Sequence, residues 1–367
     1  MPLRLSPAVR RNILRIIPFG VIWFLMAQVF LVSDWAAIGD VANTPDSAIE
    51  LTFGIYLFAT ALIVIIGLIV GAMELLFLNA LLARFSLSAK LFLKTGFYAG
   101  FLLLVILVTF PMAAALEMGT SVVDPAVRAR LAEFLFSRTA AGTLIQLVAS
   151  LVASLFYAEI SEHMGPGVLR NFLTGRYHAP REERRIFLFT DMKDSTAIAE
   201  RLGHHQYFLL LKAYYNVLSD AIVRHGGAVY QYIGDEIVVS WTEESGLRQG
   251  ACIEAVLQMK ADLEERHSWF DRQFGVRPSF RAGMQLGEVV VGEIGALKKE
   301  IVFTGDILNQ TSRIQQATKQ HETDVLIGDH LASALFQNNP EWSNRLTSIG
   351  RQQLRGKQNE VELFKVM

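Results

Sequence analysis

Ile186-Phe-Leu-Phe-Thr-Asp191-Met-Lys-Asp-Ser-Thr196 decides how the second half of this chain folds. Its first five residues are apolar and β-prone, the signature of a buried strand, and the run stops at a carboxylate. Ile198 to Arg224 then reads as a helix with one apolar face, and Gly226-Gly227 turns the chain. Val229 to Ile233 and Glu236 to Trp241 read as two strands joined by a tight Gly234-Asp235 turn, a hairpin with an acidic tip. A helix is expected over 246–274. A second hairpin is expected from Arg281–Leu286 and Val289–Ile294, followed by a helix over Ile307–Thr318. Short strands are expected at Val325–Ile327 and Val361–Val366. Helices and strands alternate irregularly, which predicts an α/β sandwich containing antiparallel strands rather than a doubly wound sheet.

Asp191 ends the first strand and Asp235 tops the first hairpin. If those strands are neighbours, both side chains converge at one sheet edge. Paired carboxylates there suit oxygen-ligated magnesium, and two metals about 4 Å apart clamp the attacking and leaving oxygens of a phosphoryl transfer. Turn aspartates are also common for purely local reasons. Asn309 and Arg313 are four residues apart and share one helical face. An arginine fork matches phosphate oxygens, though such a pair alone is equally an ordinary solvated surface.

The first half differs in composition. Apolar residues make up 52% of the 367-residue chain and concentrate before residue 165, whereas charge concentrates after Pro180. Four hydrophobic runs, roughly Ile16–Ser33, Leu51–Leu82, Gly96–Leu116 and Thr139–Ile160, are long enough to cross a bilayer. Arg4, Arg10, Arg11 and Arg15 precede the first run. Arg84, Lys90 and Lys94 follow the second, and Arg170, Arg176 and Arg181 follow the fourth. The first intervening loop carries Asp34, Asp40, Asp46 and Glu50 with no basic residue. The positive-inside rule therefore puts both ends in the cytoplasm of a multi-pass cell-membrane protein; Arg128, Arg130 and Arg138 run against that assignment. Glu74 lies late in the second run and reads either as an intramembrane functional candidate or as a residue at the cytoplasmic interface. His163-Met-Gly-Pro-Gly167 breaks the fourth helix, and the polar, proline-marked 178–185 stretch suits a boundary. The expected division is a four-helix membrane domain over 1–165, a linker over 166–183 and a soluble domain over 184–367. A net charge of −1 gives no field for nucleic acid. The single cysteine, Cys252, excludes an internal disulfide.

Taken in order, the motifs of the second half resemble those of class III adenylate and guanylate cyclases. They are Phe189-Thr-Asp191-Met with Thr196, Tyr232-Ile-Gly-Asp235, Gly287-x-Val-Val-Val-Gly292-x-Ile-Gly295, Gly305-Asp-Ile-Leu-Asn309-x-x-x-Arg313 and Leu354-Arg-Gly356. The resemblance covers about 184–367 and implies an α+β cyclase domain, a mixed or antiparallel sheet with flanking helices, beside an all-α membrane domain. It implies a head-to-tail homodimer with sites at the interface. Asp191 and Asp235, with the Met192 carbonyl, would bind two Mg2+ or Mn2+ ions. The 193–196 backbone, including Thr196, would cradle phosphate. Asn309 from the partner would orient the ribose, and Arg313 would stabilise transition-state charge. Arg355, in preference to Lys357, would contact the triphosphate. The substrate implied is a nucleoside triphosphate, cyclised with loss of pyrophosphate. Three departures from the family pattern stand out. Asp194-Ser195 replaces the usual Gly-Phe. Gln231 and Val302 occupy the base-reading positions. Gln both donates and accepts, which suits the N1/N6 edge of adenine, so ATP and cyclic AMP are preferred. A guanylate cyclase or an inactive nucleotide-sensing module are the alternatives.

Overall fold

The computed structural model describes residues 7–38, 49, 52–82, 85–164, 175–296, 299–353 and 360–366. The chain divides near residue 170 into two compact units.

The first unit is all helix: α1 (Pro7–Ile38), α2 (Phe53–Ala72), α3 (Leu87–Met118), α4 (Pro125–Leu135) and α5 (Arg138–Met164). Four stretches, Arg15–Ser33, Phe53–Leu78, Ser88–Met118 and Arg138–Ser161, are long and apolar enough to cross a membrane. They fall on the four runs expected from sequence. Helix α5 stops at Met164, one residue before Gly165. Of the linker expected over 166–183, residues 166–174 lie outside the described residues.

Small residues let these helices approach. A Cβ at Gly67 would meet Trp23 at 2.7 Å, and one at Gly71 would meet Phe19 at 2.8 Å. Both aromatic rings are fully buried as a result. The Trp23 Nε1–H donates to Ser154 Oγ at 2.8 Å, joining α1 to α5. Past Ala72 the second span widens into a π-turn, Met73–Leu78. Glu74 sits in that turn and is only 3% exposed, so it belongs to the bundle interior rather than facing solvent. Its Oε2 accepts from the Tyr98 hydroxyl at 2.7 Å. Its Oε1 pairs with Lys94, whose ammonium also donates to Asn79 Oδ1 at 3.0 Å. An ionisable group placed in apolar surroundings needs such partners. Of the basic residues that opposed the expected orientation, Arg130 is ion-paired with Glu117 at 2.7 Å.

The second unit is a sheet with helices on both faces. Its strands are β1 (Arg181–Met192), β2 (Ala228–Ile233), β3 (Glu236–Thr242), β4 (Phe280–Ile294), β5 (Glu300–Thr304), β6 (Val325–Gly328), β7 (Leu346–Gln353) and β8 (Glu360–Val366). The order is β2-β3-β1-β4-β6-β8-β7, with β5 paired to β4. Only the β4–β6 pair is parallel. The sheet is therefore mixed and mostly antiparallel, as expected. The helices are α6 (Ser195–Arg224), α7 (Glu243–Leu247), α8 (Ala251–Phe274), α9 (Asp306–Ala317) and α10 (Asp329–Asn338).

Strand β1 is buried on both faces, which is why its sequence does not alternate. Ile186 and Leu188 pack with Leu210, Tyr214 and Leu218 of α6 and Ile253, Val256 and Met259 of α8. Phe187 and Phe189 face the other way, with Val238, Val289 and Ile307. Two expectations need correction. β1 begins at Arg181, because the charged 181–185 stretch pairs with Val291 through Gly287 of β4. The expected 281–294 hairpin is one unbroken strand. Gly287 marks a close approach rather than a turn: a Cβ there would meet Ile307 of α9 at 2.7 Å.

Gly283 does the same further along β4, where a Cβ would overlap the backbone of Gln315. Gly283→Ala should therefore push α9 off the sheet. The expected cost is about 2–3 kcal/mol of stability, read as a lower denaturant midpoint for Trp241 fluorescence in the full chain. An unchanged midpoint would contradict this packing.

Candidate active site

Antiparallel pairing of β1 with β3 sets Thr190 opposite Ile237. The next residue of β1 is Asp191, and the residues just before Ile237 are Asp235 and Glu236. The β2–β3 turn holds Asp235 back against β1, where its Oδ2 accepts the backbone N–H of Met192 at 3.2 Å. Asp191 and Asp235 thus come together, and Met192 between them is buried. Burial, then the neighbouring Asp235 carboxylate, raise the Asp191 pKa above the ordinary carboxylate value. Lys319 and Gln315, at the end of α9, partly offset this. Two like charges held side by side and half-buried favour a shared proton or a cation. Hard oxygen donors of this kind fit magnesium or manganese. Among the described residues no group of three His, Cys, Asp or Glu side chains converges as a metal site, so a metal here would rest on this pair and backbone oxygen.

Sequence reasoning did not anticipate several neighbours. Burial, then Asp191 and Asp235, push Glu236 up to about 7. Tyr215 of α6 donates its hydroxyl to the Gly234 carbonyl, bracing the turn that carries Asp235. The pKa of Tyr207 is raised by burial and then by the field of both aspartates. Tyr207, Tyr214 and Tyr215 recur at seven and eight residues, one face of a helix, and that spacing was the available signal. Gln315 lies two residues past Arg313, towards the buried face of α9.

The phosphate-cradle stretch opens helix α6. Asp194 adopts a left-handed conformation (φ 57°, ψ 27°), and its side chain makes no cap bond. The Lys193 amide is committed to the Ser279 carbonyl at 2.8 Å. The Lys193 amide is therefore not free, whereas the amides of the first helical turn, 195–197, have no intrahelical acceptor and overlap the expected 193–196 stretch. Thr196 is exposed there.

Asn309 and Arg313 sit on α9, four apart. Its buried residues are Ile307, Thr311, Ile314, Gln315 and Ala317. At about 100° per residue, Asn309 and Arg313 lie on roughly the opposite side of the helix. Asn309 is exposed, and Arg313 is half-buried, with a buried Nη1 that has no hydrogen-bond partner among the described residues. Neither pairs with Asp191 or Asp235 in the chain. Gln231 is exposed on β2, and Val302 is half-buried on β5. Arg355 and Lys357 lie outside the described residues.

Residues 178–366 match the family model for the adenylate and guanylate cyclase catalytic domain. The chain belongs to that family, the class III nucleotide cyclases. Adenylate cyclase 2 of Rhizobium meliloti is 30% identical over 222 residues, 60% of this chain and 60% of that protein. Adenylate cyclase 1 of the same organism is 27% identical over 187 residues, 49% of this chain and 27% of that protein. The chain thus spans less than two thirds of either relative. A bacterial light-regulated adenylyl cyclase structure shares the fold, with a TM-score of 0.51, 21% identity, and coverage of 61% of this chain and 64% of that one.

The raised Glu236 gives a pH prediction. Below its ordinary value of 4.5 the carboxyl is protonated in both folded and unfolded chains. Between there and about 7 the unfolded chain ionises first, so the fold loses stability as pH rises through that window. In chelator, Glu236→Gln should raise the unfolding midpoint at about pH 8 and leave it unchanged at about pH 4. Equal effects at both would contradict the assignment.

Proposed function

We propose that the chain is a membrane-anchored adenylate cyclase. It converts ATP to 3′,5′-cyclic AMP and pyrophosphate as a homodimer, with its catalytic domains on the cytoplasmic side of the cell membrane. One observation carries this reading: the constellation is divided within a single chain. Asp191 and Asp235 meet at one sheet edge, whereas Asn309 is exposed and Arg313 half-buried on α9, and neither pairs with the two aspartates. A two-fold pair of chains would bring each half to the other's complement and form two equivalent sites.

In the proposed reaction the ribose 3′-oxygen attacks the α-phosphorus, the bond to the bridging oxygen breaks, and pyrophosphate leaves. Asp191, Asp235 and the Met192 carbonyl would hold two Mg2+ or Mn2+ ions, which supply Lewis acidity and charge neutralisation when bound. The first-turn amides of α6, beside Thr196, present N–H groups and a positive helix end to the triphosphate. Asn309 of one copy orients the ribose. Arg313 directs a fork of donors at charge developing on the phosphates. Arg355 would add a further triphosphate contact.

The preference for ATP rests on Gln231 and Val302. A glutamine amide offers a donor and an acceptor at once, and an apolar neighbour suits adenine better than a guanine edge that asks for a carboxylate. Both Rhizobium relatives carry the name adenylate cyclase, which agrees with this preference. Membrane anchoring rests on the four long apolar helices, and sidedness on the basic residues flanking them.

Membranes containing the full chain, given Mg2+ or Mn2+ with ATP or GTP, should yield cyclic AMP in excess of cyclic GMP. Asp235→Ala should lower the yield by at least about a hundredfold. Predominant cyclic GMP would overturn the substrate assignment, and product that survives Asp235→Ala would overturn the metal assignment. The chain should also remain with membranes after an alkaline wash; release into the supernatant would contradict the anchor.

A further inference from the structure

Gln231 has no hydrogen-bond partner among the described residues, and Val302 has no polar side chain. What fixes the distance between them must lie in their neighbours. Those neighbours, Tyr230 and Phe303, are bonded to each other. Tyr230 sits where the β2–β3 register shifts, between Val229 and Gln231, and such a bulge re-aims the side chains beside it. Its hydroxyl accepts the Phe303 backbone N–H at 3.3 Å. The two rings meet edge to face with centroids 4.9 Å apart. Strands β2 and β5 are not neighbours in the sheet, so this side-chain bridge joins them directly.

Phe303 is held from other directions as well. The Arg185 guanidinium lies 4.8 Å from its ring centroid, and Phe187 meets it edge-on at 5.4 Å. Arg185 is itself fixed. It is 9% exposed, its Nη1 donates to Glu183 at 2.8 Å, and its Nη2 donates to Ser240 Oγ at 3.0 Å. A planar guanidinium held at two donors has little freedom left.

We infer that Tyr230 and Arg185 are positioning residues that clamp Phe303, set the spacing of Gln231 and Val302, and so set the preference between adenine and guanine nucleotides. The inference rests on the proposed role of Gln231 and Val302 as base-reading positions. Discrimination by hydrogen bonds depends on the wrong base leaving polar groups unpaired. A pocket whose two walls move apart lets either purine find a water or an alternative partner, and the penalty for the wrong base falls. The β-bulge and the cross-sheet bridge keep the walls in register without touching the base.

The test uses the full chain in membranes. The ratio of kcat/KM for ATP to that for GTP is measured, alongside competition of ATP and GTP for binding. Tyr230→Phe keeps the ring contact and removes only the acceptor for the Phe303 amide. It should shift the ATP:GTP ratio by about fivefold, roughly one hydrogen bond, mainly through KM. Arg185→Lys keeps a positive charge beside Glu183 but loses the planar stack, and should shift the ratio in the same direction. If either variant lowers both nucleotides by one common factor, or leaves both unchanged, the positioning role is overturned. Gln231→Glu separates the two levels of the argument. If Gln231→Glu moves the ratio and Tyr230→Phe does not, only the clamp fails. If Gln231→Glu leaves the ratio fixed, the base-reading assignment itself fails.

Discussion

Two carboxylates sit side by side at the end of β1 because the backbone leaves them nowhere else to go. β1 is paired on both sides, to β3 and to β4, and is apolar on both faces, so it cannot slide without exposing its core. The β2–β3 turn then brings Asp235 to the Met192 amide. Burial first, and then the closeness of the carboxylates to one another, raise the Asp191 pKa and push Glu236 up to about 7. A site held in a charged, half-buried state is costly to folding, and such strained electrostatics concentrate where function needs them. The divalent cations of the proposed reaction would relieve the repulsion between these carboxylates.

The second constraint is the closeness of α9 to β4. Gly283 and Gly287 allow the helix to lie against the strand without a Cβ between them. That contact buries Ile307, Ile314 and Gln315 and leaves Arg313 half-buried. One face of a short helix thus packs against β4, while Asn309 on the other is exposed and could meet a second copy of the chain. In the proposed dimer, confinement to a membrane would raise the local concentration of that copy.

Much of this was legible in the sequence wherever one local pattern decided the structure. The apolar 186–190 run, the Gly234-Asp235 turn and the four membrane-length runs each produced the element expected. The misreadings came from long-range pairing. The charged 181–185 stretch is strand because β4 runs past it, and no local propensity reports that. Gly287 looked like a turn because a glycine between apolar residues signals a bend or a close approach equally well, and only the position of α9 distinguishes them. The partners of Glu74, Lys94 and Tyr98, lie on another helix and were not legible from its local sequence. Glu236, Gln315 and the tyrosines of α6 joined the candidate site through tertiary contact, while Asp191 and Asp235 were visible because they end strands that pair. The Lys193 amide is not free for the expected phosphate cradle because Ser279, more than eighty residues away in sequence, accepts it.

The central claim is that each site draws Asp191 and Asp235 from one copy and Asn309 and Arg313 from the other. Co-expression of an Asp191→Ala chain with an Arg313→Ala chain tests it most directly. Each variant alone should be inactive. Mixed in equal amounts, half of the dimers would be heterodimers with one intact site of two, restoring about a quarter of wild-type cyclic nucleotide production. A mixture as inactive as its components would contradict the shared-site account.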